Sequence, residues 1–268
     1  MRSLEIKFGK LKTVIAFTTI TFLFTFLLLN STSILANALS QAAPAIAVIL
    51  LILFSKQKIK DFRELGLFNL GRAHWYIIAI VLPASAILMS YLMATLLGYF
   101  SLGLKMPWYT LIYRTLIFTF MWPFIWAMTE EIGWRGFLQP KLATLFGLKK
   151  GIFFTGVIWA FWHYIFIFSG NYYEAGNPFI NTVLFTITVI LMSFAIGWLR
   201  WGSQSIWPCI LFHSVSNATW QVCSYQFNIK HPYYIYISGE AGILNIMFWG
   251  VVLLFIWRRL TEKQNAPR

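Results

Sequence analysis

Charged residues are scarce in this 268-residue sequence: Lys, Arg, Asp and Glu make up 11% of it, against 59% hydrophobic residues. A typical soluble domain is about one quarter charged, and a domain of this size cannot bury so much apolar surface. This excludes a soluble enzyme and a disordered chain. The two cysteines, Cys209 and Cys223, exclude a disulfide scaffold and lack metal-ligand spacing. The apolar residues form unbroken runs rather than β-barrel alternation, which predicts an all-α, polytopic bundle of membrane helices.

About eight transmembrane helices are predicted, since a spanning helix needs roughly 20 mostly apolar residues. We expect residues 1–268 to form a single membrane-embedded domain with a motif-bearing core at about 111–223. The second stretch is short and bounded by Pro44, and the first could instead be a signal peptide cleaved near Ala36–Ala38. The eight stretches are Thr13–Leu29, Ala42–Phe54, Trp75–Leu97, Leu111–Met128, Ile152–Phe168, Asn181–Leu199, Ile206–Cys223 and Ile243–Trp257.

Acidic residues are especially few, with 8 Asp and Glu against 21 Lys and Arg. If eight spans alternate across the membrane, 18 of those 21 cations fall on one side, and only Lys105, Arg114 and Lys230 on the other. Because Lys and Arg concentrate in cytoplasmic loops, we expect a multi-pass cell-membrane protein with both termini in the cytoplasm. The net charge of +13 thus indicates membrane topology, with lipids rather than nucleic acid as partners.

Three predicted helices carry polar groups that cost a few kcal/mol each to place within a bilayer. Glu130 and Glu131 end the fourth stretch, His163 lies in the fifth, and His213 and Asn217 lie in the seventh. Each has an ordinary structural explanation alone: a solvated helix end, a buried histidine bonded to a backbone carbonyl, or a polar contact between helices. Their occurrence together on three unlinked helices favours a common site.

Helical geometry indicates how these groups could meet. Glu131 and Arg135 are four residues apart and can pair, whereas Glu130 is rotated by about 100° and can face the bundle. If the fourth helix continues to Gln139, just before the helix breaker Pro140, Glu130 lies at the depth of the two histidines. We therefore expect Glu130, His163 and His213 to have their side chains within about 8 Å of one another, around one water-sized site.

Carboxylates and imidazoles on facing helices are suited to the activation of water. A glutamate can act as general base, histidines can bind a metal or stabilise an oxyanion, and Asn217 can add a neutral donor. The soluble zinc-protease motif is absent, as is a nucleophile elbow, and Ser214 and Ser216 have no evident acidic partner. The set favours hydrolysis of an amide bond within or beside the membrane.

The order of these residues resembles that of a family of intramembrane peptidases. Glu130-Glu131 with Arg135, then His163, then His213 with Asn217 is similar to the motifs of the CAAX protease and bacteriocin-processing (CPBP, formerly Abi) family, which includes type II CAAX prenyl endopeptidases. The approach to the last motif, Gly202–Pro208, is similar too. The family usually has Phe four residues before the second-motif histidine. Trp159 stands there, a departure expected to affect packing more than chemistry.

The resemblance implies an intramembrane metalloprotease or glutamate-dependent endopeptidase with these six residues as its catalytic set. By it, Glu130 activates water, Glu131 and Arg135 form a supporting ion pair, and His163 and His213 complete the site with Asn217 at the oxyanion. It implies either one divalent metal such as zinc, with His163, His213 and Glu130 as candidate ligands, or a metal-free mechanism. Both remain open, because Glu130 cannot easily be metal ligand and free base at once.

The implied substrate is a small hydrophobic, lipidated or leader-type peptide near the cytoplasmic leaflet. Eukaryotic members of the family remove the last three residues of prenylated proteins, and bacterial members are linked to peptide maturation and bacteriocin immunity. The lean form of the chain favours a bacterial source. Two other functions stay open: a non-catalytic bacteriocin self-immunity or scaffold protein, and a transporter, although neither broken spans nor internal pseudo-symmetry is evident.

Overall fold

The protein is a bundle of helices with one small two-stranded sheet. The computed structural model describes residues 2–29, 31, 33–55, 62–103, 107–170, 172–173 and 175–262. In chain order its elements are α1 (Arg2–Leu29), α2 (Ile34–Gln41), α3 (Ala43–Leu53), α4 (Ala73–Leu96), β1 (Phe100–Leu102), α5 (Trp108–Phe120), α6 (Trp122–Glu131), a π-helical segment (Ile132–Leu138), α7 (Gln139–Phe146), α8 (Leu148–Phe168), α9 (Pro178–Ser203), α10 (Trp207–Gln226), β2 (Phe227–Ile229), α11 (Tyr234–Ile237) and α12 (Ile243–Glu262). This confirms the predicted all-α class.

Several helices are long and apolar enough to cross a membrane. Among the described residues there are five, or six if α2 and α3, which meet at an angle of 72°, form one bent span. The predicted multi-pass membrane bundle is therefore confirmed, but the count of eight is not. The five are Gly9–Leu29, Ala73–Leu96, Leu148–Phe168, Pro178–Ser203 and Ile243–Leu260.

Two predicted spans differ in the structure for identifiable reasons. The stretch Leu111–Met128 is divided at Met121 into α5 and α6. Pro123, in the first turn of α6, has no backbone N–H to donate and its ring would clash with a preceding carbonyl, so one helix cannot run through. The stretch Ile206–Cys223 does form a 20-residue helix, α10. Its histidine, amide and hydroxyl side chains make it too polar to count among the candidate spans.

The helix that carries the two glutamates continues well beyond them. The π-helical segment follows Glu131 directly and leads into α7, so the chain stays helical to Phe146. Pro140, expected to end the helix, sits in the first turn of α7. Proline is tolerated there because the backbone N–H groups of a first turn need no intrahelical partner. The turn before α8 comes instead at Gly147, whose φ of 85° favours glycine.

Large aromatic side chains fill the interior where these helices meet. Trp134, Trp159, Trp162 and Trp249 are all fully or almost fully buried. Trp134 of the π-helical segment packs edge-on against Phe17 of α1, with ring centroids 5.7 Å apart. At one end of the bundle, β1 pairs antiparallel with β2, which ties the end of α4 to the end of α10. The three motif-bearing helices are thereby held in one packed core.

The opposite end carries cations that the sequence assigned to a single side of the membrane. Lys10, Arg63, Lys141 and Arg200, from four separate segments, line one open cavity of about 1540 Å³. This grouping agrees with the expected clustering of positive charge. Eight of the cations assigned to a membrane side from the sequence lie outside the described residues or have undescribed side chains: Arg2, Lys7, Lys56, Lys58, Lys60, Lys105, Lys263 and Arg268.

Candidate active site

Glu130 lies at the centre of the site and is held by two indole groups. Its carboxylate oxygen Oε2 accepts hydrogen bonds from Nε1 of Trp159 at 2.7 Å and from Nε1 of Trp134 at 3.2 Å. Trp134 is one turn further along the same helix, and Trp159 comes from the middle of α8. Only 5% of the Glu130 surface is exposed. Because Oε2 is occupied by two donors, Oε1 is the oxygen left for other chemistry.

Trp159 connects Glu130 to both histidines. Its ring packs edge-on against the ring of His213 at a centroid distance of 5.3 Å, and against that of His163 at 5.7 Å. The expected gathering of Glu130, His163 and His213 thus takes place around one indole. Trp159, the departure from the family pattern, contributes a hydrogen bond as well as packing, because a phenylalanine there would have no N–H to offer Glu130.

His163 is buried among aromatic rings. Its Nδ1 lies 3.0 Å from the carbonyl oxygen of Trp159, one turn earlier in α8. A carbonyl only accepts, so Nδ1 carries the proton and Nε2 is the nitrogen without it in the neutral ring. The rings of Trp162, Phe185 and Tyr172 lie 4.8, 4.9 and 5.5 Å from the His163 ring. These contacts fix the imidazole in one orientation.

Glu131 holds an ion pair and orients the second histidine. Its Oε1 lies 2.9 Å from NH1 of Arg135 and also 2.9 Å from Nδ1 of His213. Both Glu131 and Arg135 are fully buried. The predicted i,i+4 pair is present, although it spans the start of the π-helical segment. Since a carboxylate accepts, Nδ1 of His213 donates to it and Nε2 is directed elsewhere.

Asn217 is less closely tied to the other groups. It lies one turn after His213 on α10 and is half-buried. Among the described residues its amide makes no side-chain hydrogen bond with the other five predicted site residues. The structure therefore brings five of the six together in hydrogen-bonded or ring contacts, and places Asn217 beside them on the face that the i,i+4 spacing predicts.

Several supporting residues were not identified from the sequence. Ser193 of α9 accepts from NH2 of Arg135 at 3.1 Å, and the Arg135 guanidinium lies 4.1 Å from the centre of a Trp159 ring. Arg200 donates from Nε to the Arg135 carbonyl at 3.1 Å. In the sequence, Arg200 is one of the 18 cations expected on a single side of the membrane, with no predicted role in the site. A lone serine in an apolar helix gives no signal, so only the three-dimensional packing reveals this support for Arg135.

The arrangement of these side chains decides whether they could hold a metal ion. No group of three His, Cys, Asp or Glu side chains within the described part of the chain is arranged so that it could hold a metal ion. Glu130 is bonded through Oε2 to two indoles, and both histidines are bonded through Nδ1 to acceptors of the protein. Those bonds leave Nε2 of each ring and Oε1 of Glu130 available, as metal ligands often are, so the lack of fit rests on spacing: the described residues do not give the three-ligand arrangement of a catalytic zinc site.

Fold and site together define a multi-pass helical membrane protein with a buried cluster of glutamate, histidine and arginine. Residues 113–219 match the family of type II CAAX prenyl endopeptidase Rce1-like proteins. The chain is also 29% identical over 131 residues to CAAX prenyl protease 2 of Methanococcus maripaludis, a match that covers 47% of this chain and 46% of that protein. It thus spans about half the length of this curated relative. The segment that carries the three motifs is thus similar to the Rce1-like family, and the resemblance seen in its residues is confirmed.

Proposed function

We propose that the protein is a membrane-embedded endopeptidase that hydrolyses a peptide bond in a small hydrophobic, lipidated or leader-type peptide. One observation carries the proposal: the Trp159 indole donates to Glu130 while its ring contacts both His163 and His213. A carboxylate and two imidazoles thus contact one and the same indole. The similarity to CAAX prenyl protease 2 of Methanococcus maripaludis supports the same class of reaction.

Glu130 is the general base in this proposal. Two indole N–H groups occupy Oε2, so Oε1 takes the proton from water as the water attacks the scissile carbonyl. The same carboxyl group then returns that proton to the departing amine. A positioned general base of this kind typically contributes about 10²- to 10⁴-fold to a rate.

His213 and Asn217 stabilise the charge that develops on the carbonyl oxygen, and His163, whose Nδ1 donates to the Trp159 carbonyl, completes the site. Glu131 orients His213, as a carboxylate does for the histidine of a catalytic triad. Because Nδ1 of His213 already donates to Glu131, only the imidazolium form, which that carboxylate favours, also donates from Nε2 to the oxyanion. The Asn217 amide supplies a second donor on the same helix face. Arg135 acts as a positioning residue, because it contacts Glu131 and Trp159 rather than the reacting atoms.

We place the reaction without a metal in this scheme. The support is the spacing of the His, Cys, Asp and Glu side chains, which gives no three-ligand set among the described residues. Metal analysis of the purified protein, with chelator titration of its peptidase activity, tests this part separately. Full activity in a protein free of zinc agrees with it, and activity lost to chelator and restored by one equivalent of a divalent metal contradicts it.

The substrate is proposed to lie near the cytoplasmic leaflet of a cell membrane. Both termini of the protein are proposed to lie on the same side of that membrane, and the source of the protein is proposed to be bacterial. The open cavity lined by Lys10, Arg63 and Lys141 supports this, because cationic residues collect at the cytoplasmic surface. Labelling of single cysteines introduced at Lys149 and Lys230 with a membrane-impermeant thiol reagent tests the orientation. Only the Lys149 site should be protected in intact cells.

The function is tested with purified protein in lipid nanodiscs and a panel of prenylated and leader-type peptides. Glu130→Gln, His163→Ala and His213→Ala should each lower cleavage at least about 10²-fold, with folding checked by near-ultraviolet circular dichroism. His74→Ala and Glu64→Gln are matched controls, since both side chains are exposed and should leave cleavage unchanged. If the three site variants cleave normally, or no peptide is cut while a peptide still binds, the scaffold or immunity alternative is favoured instead.

A further inference from the structure

A second, smaller pocket lies at the end of the bundle away from Lys149 and Lys150. It has a volume of about 260 Å³ and lies beside the ends of α8 and α10 and the starts of α9 and α12. This volume is below the 300–1,000 Å³ typical of pockets for drug-sized ligands, so it suits a single side chain rather than a lipid. Its aromatic and acidic lining consists of Tyr91, Tyr172, Tyr173, Trp220, Tyr234 and Glu240.

Glu240 is the one charged residue among the described residues that line this pocket. It lies in the connection between α11 and α12, outside the membrane spans. The Tyr172 hydroxyl donates to its two oxygens at 3.0 and 3.1 Å. Within the described part of the chain, no lysine or arginine forms an ion pair with it. Burial raises the pKa of Glu240 to about 7, and it stands as a carboxylate that lacks a cation.

Tyr172 joins this pocket to the candidate active site. Its ring stands perpendicular to that of His163, at a centroid distance of 5.5 Å, while its hydroxyl reaches Glu240. The charges of His213 and Glu130 also act on Glu240, the first lowering its pKa and the second raising it. The pocket is therefore one side chain away from the cluster, a gap that two or three residues of an extended peptide cover at about 3.4 Å each.

We propose that this pocket binds a lysine or arginine side chain of the peptide whose bond is cut at the neighbouring cluster, an inference that rests on the proposed function. The faces of tyrosine and tryptophan rings attract cations, and the unpaired carboxylate of Glu240 supplies the opposite charge. The peptide then enters from the cytoplasmic leaflet and lies along the bundle, with its scissile bond at Glu130 and its cationic side chain beyond it, toward the opposite end. The pocket selects for charge, whereas the apolar helices select for hydrophobicity.

A binding experiment with a matched peptide pair tests the proposal. Fluorescence anisotropy compares a labelled hydrophobic octapeptide that contains one lysine with the same peptide acetylated on that lysine, using protein in nanodiscs of neutral lipid. Wild-type protein should bind the lysine peptide about 10-fold more tightly, as expected for a hydrogen bond to a charged group worth about 1.4 kcal/mol or more. The preference should fall to about one in Glu240→Gln and persist in the control Glu64→Gln, an exposed carboxylate near the opposite end.

The preference should also depend on pH, because Glu240 ionises near neutrality while lysine stays charged. Lysine binding should strengthen from pH 6 to pH 8, as the carboxylate forms, and Glu240→Gln should remove that dependence. The titratable groups that face Glu240 are Tyr91, Tyr172, Tyr173, His213 and Glu130. A pH dependence that survives in Glu240→Gln would assign the titration to one of them and overturn this part. The wild-type comparison alone needs no variant, and equal binding of the two peptides would overturn the proposal outright.

These outcomes separate failure of the pocket from failure of the proposed function. If lysine is preferred and the preference depends on Glu240, but no peptide is cut, the pocket stands and the peptidase proposal fails. If peptides are cut with no preference for lysine, the peptidase proposal stands and the pocket fails. If both hold, Glu240→Gln should raise KM for the lysine peptide about 10-fold with little change in kcat, since the pocket contributes binding away from the reacting atoms.

Discussion

The buried pair of Glu131 and Arg135 gives a prediction that does not depend on any substrate. Neither side chain is exposed, and the Arg135 guanidinium also contacts Ser193 and Trp159. Arg135→Met removes the charge while keeping a long side chain, and leaves the Glu131 carboxylate with His213 as its remaining described partner. Breaking a buried ion pair by removing one partner costs about 3–5 kcal/mol, so we expect a loss of that size in the free energy of unfolding.

The double variant provides the sharper comparison. Glu131→Gln and Arg135→Met together remove both charges, so no uncompensated carboxylate remains buried. The loss in the double variant should be smaller than the sum of the two single losses by about 2 kcal/mol, the coupling expected of residues in one network. Unfolding in mixed micelles of increasing SDS fraction, followed by near-ultraviolet circular dichroism of the buried indoles, measures these differences. The exposed Arg259, changed to Met, should alter stability by no more than about 0.5 kcal/mol.

Two results would refute this reasoning. Additive losses in the double-variant cycle would mean that Glu131 and Arg135 do not interact in the folded protein. A loss below about 1 kcal/mol for Arg135→Met would mean that the guanidinium is solvated rather than buried, since exposed ion pairs contribute about that much or less. Either result would contradict the arrangement in which Arg135 holds the Glu131 carboxylate against His213.

Three further outcomes are expected. Gly156→Ala would bring a methyl group within 2.9 Å of the Ser193 hydroxyl and should destabilise the protein by about 1–3 kcal/mol through overpacking. The control Gly250→Ala, which has nothing within 4 Å of the added methyl group, should be neutral or stabilise the protein by about 0.5–1 kcal/mol in the same unfolding assay. Trp159→Phe removes the shorter hydrogen bond to Glu130 and should slow single-turnover cleavage by roughly 10-fold or more, and an unchanged rate would show that the bond does not position the base. Zinc added in excess to metal-free protein should leave the cleavage rate unchanged, and a rise with one equivalent bound would oppose the scheme.

The sequence predicts the parts of this site that depend on helix periodicity. The i,i+4 spacing identified the pair of Glu131 and Arg135, and the cost of burying polar groups singled out His163 and His213. What it could not predict arises from contacts between elements. Ser193 and Arg200 support Arg135 from another helix, and neither stands out within its own segment. The count of eight spans was not confirmed, because apolar composition does not reveal a helix divided at Met121 or the polarity contributed by side chains on α10.

The role of Trp159 was missed for a related reason. As a large apolar ring it is expected to affect packing more than chemistry, yet its N–H donates to the Glu130 carboxylate. An indole can act as a hydrophobic side chain and as a donor at once, and only the position of its neighbours decides which matters. The Glu240 pocket, likewise, joins loops that lie far apart in the sequence.

The π-helical segment between Glu131 and Gln139 constrains how this gene can change. A π turn is commonly one residue wider than an α turn, and removal of one residue from Ile132–Leu138 would let ordinary α-helix form in its place. The helix on either side would then keep its orientation, because the wider turn had absorbed the extra residue. An insertion, or the loss of a second residue, has no such turn to absorb it and would rotate everything downstream by about 100° relative to the glutamates, while hydropathy would barely change. Such changes in these seven residues should therefore be purged by selection more strictly than substitutions of one apolar side chain for another.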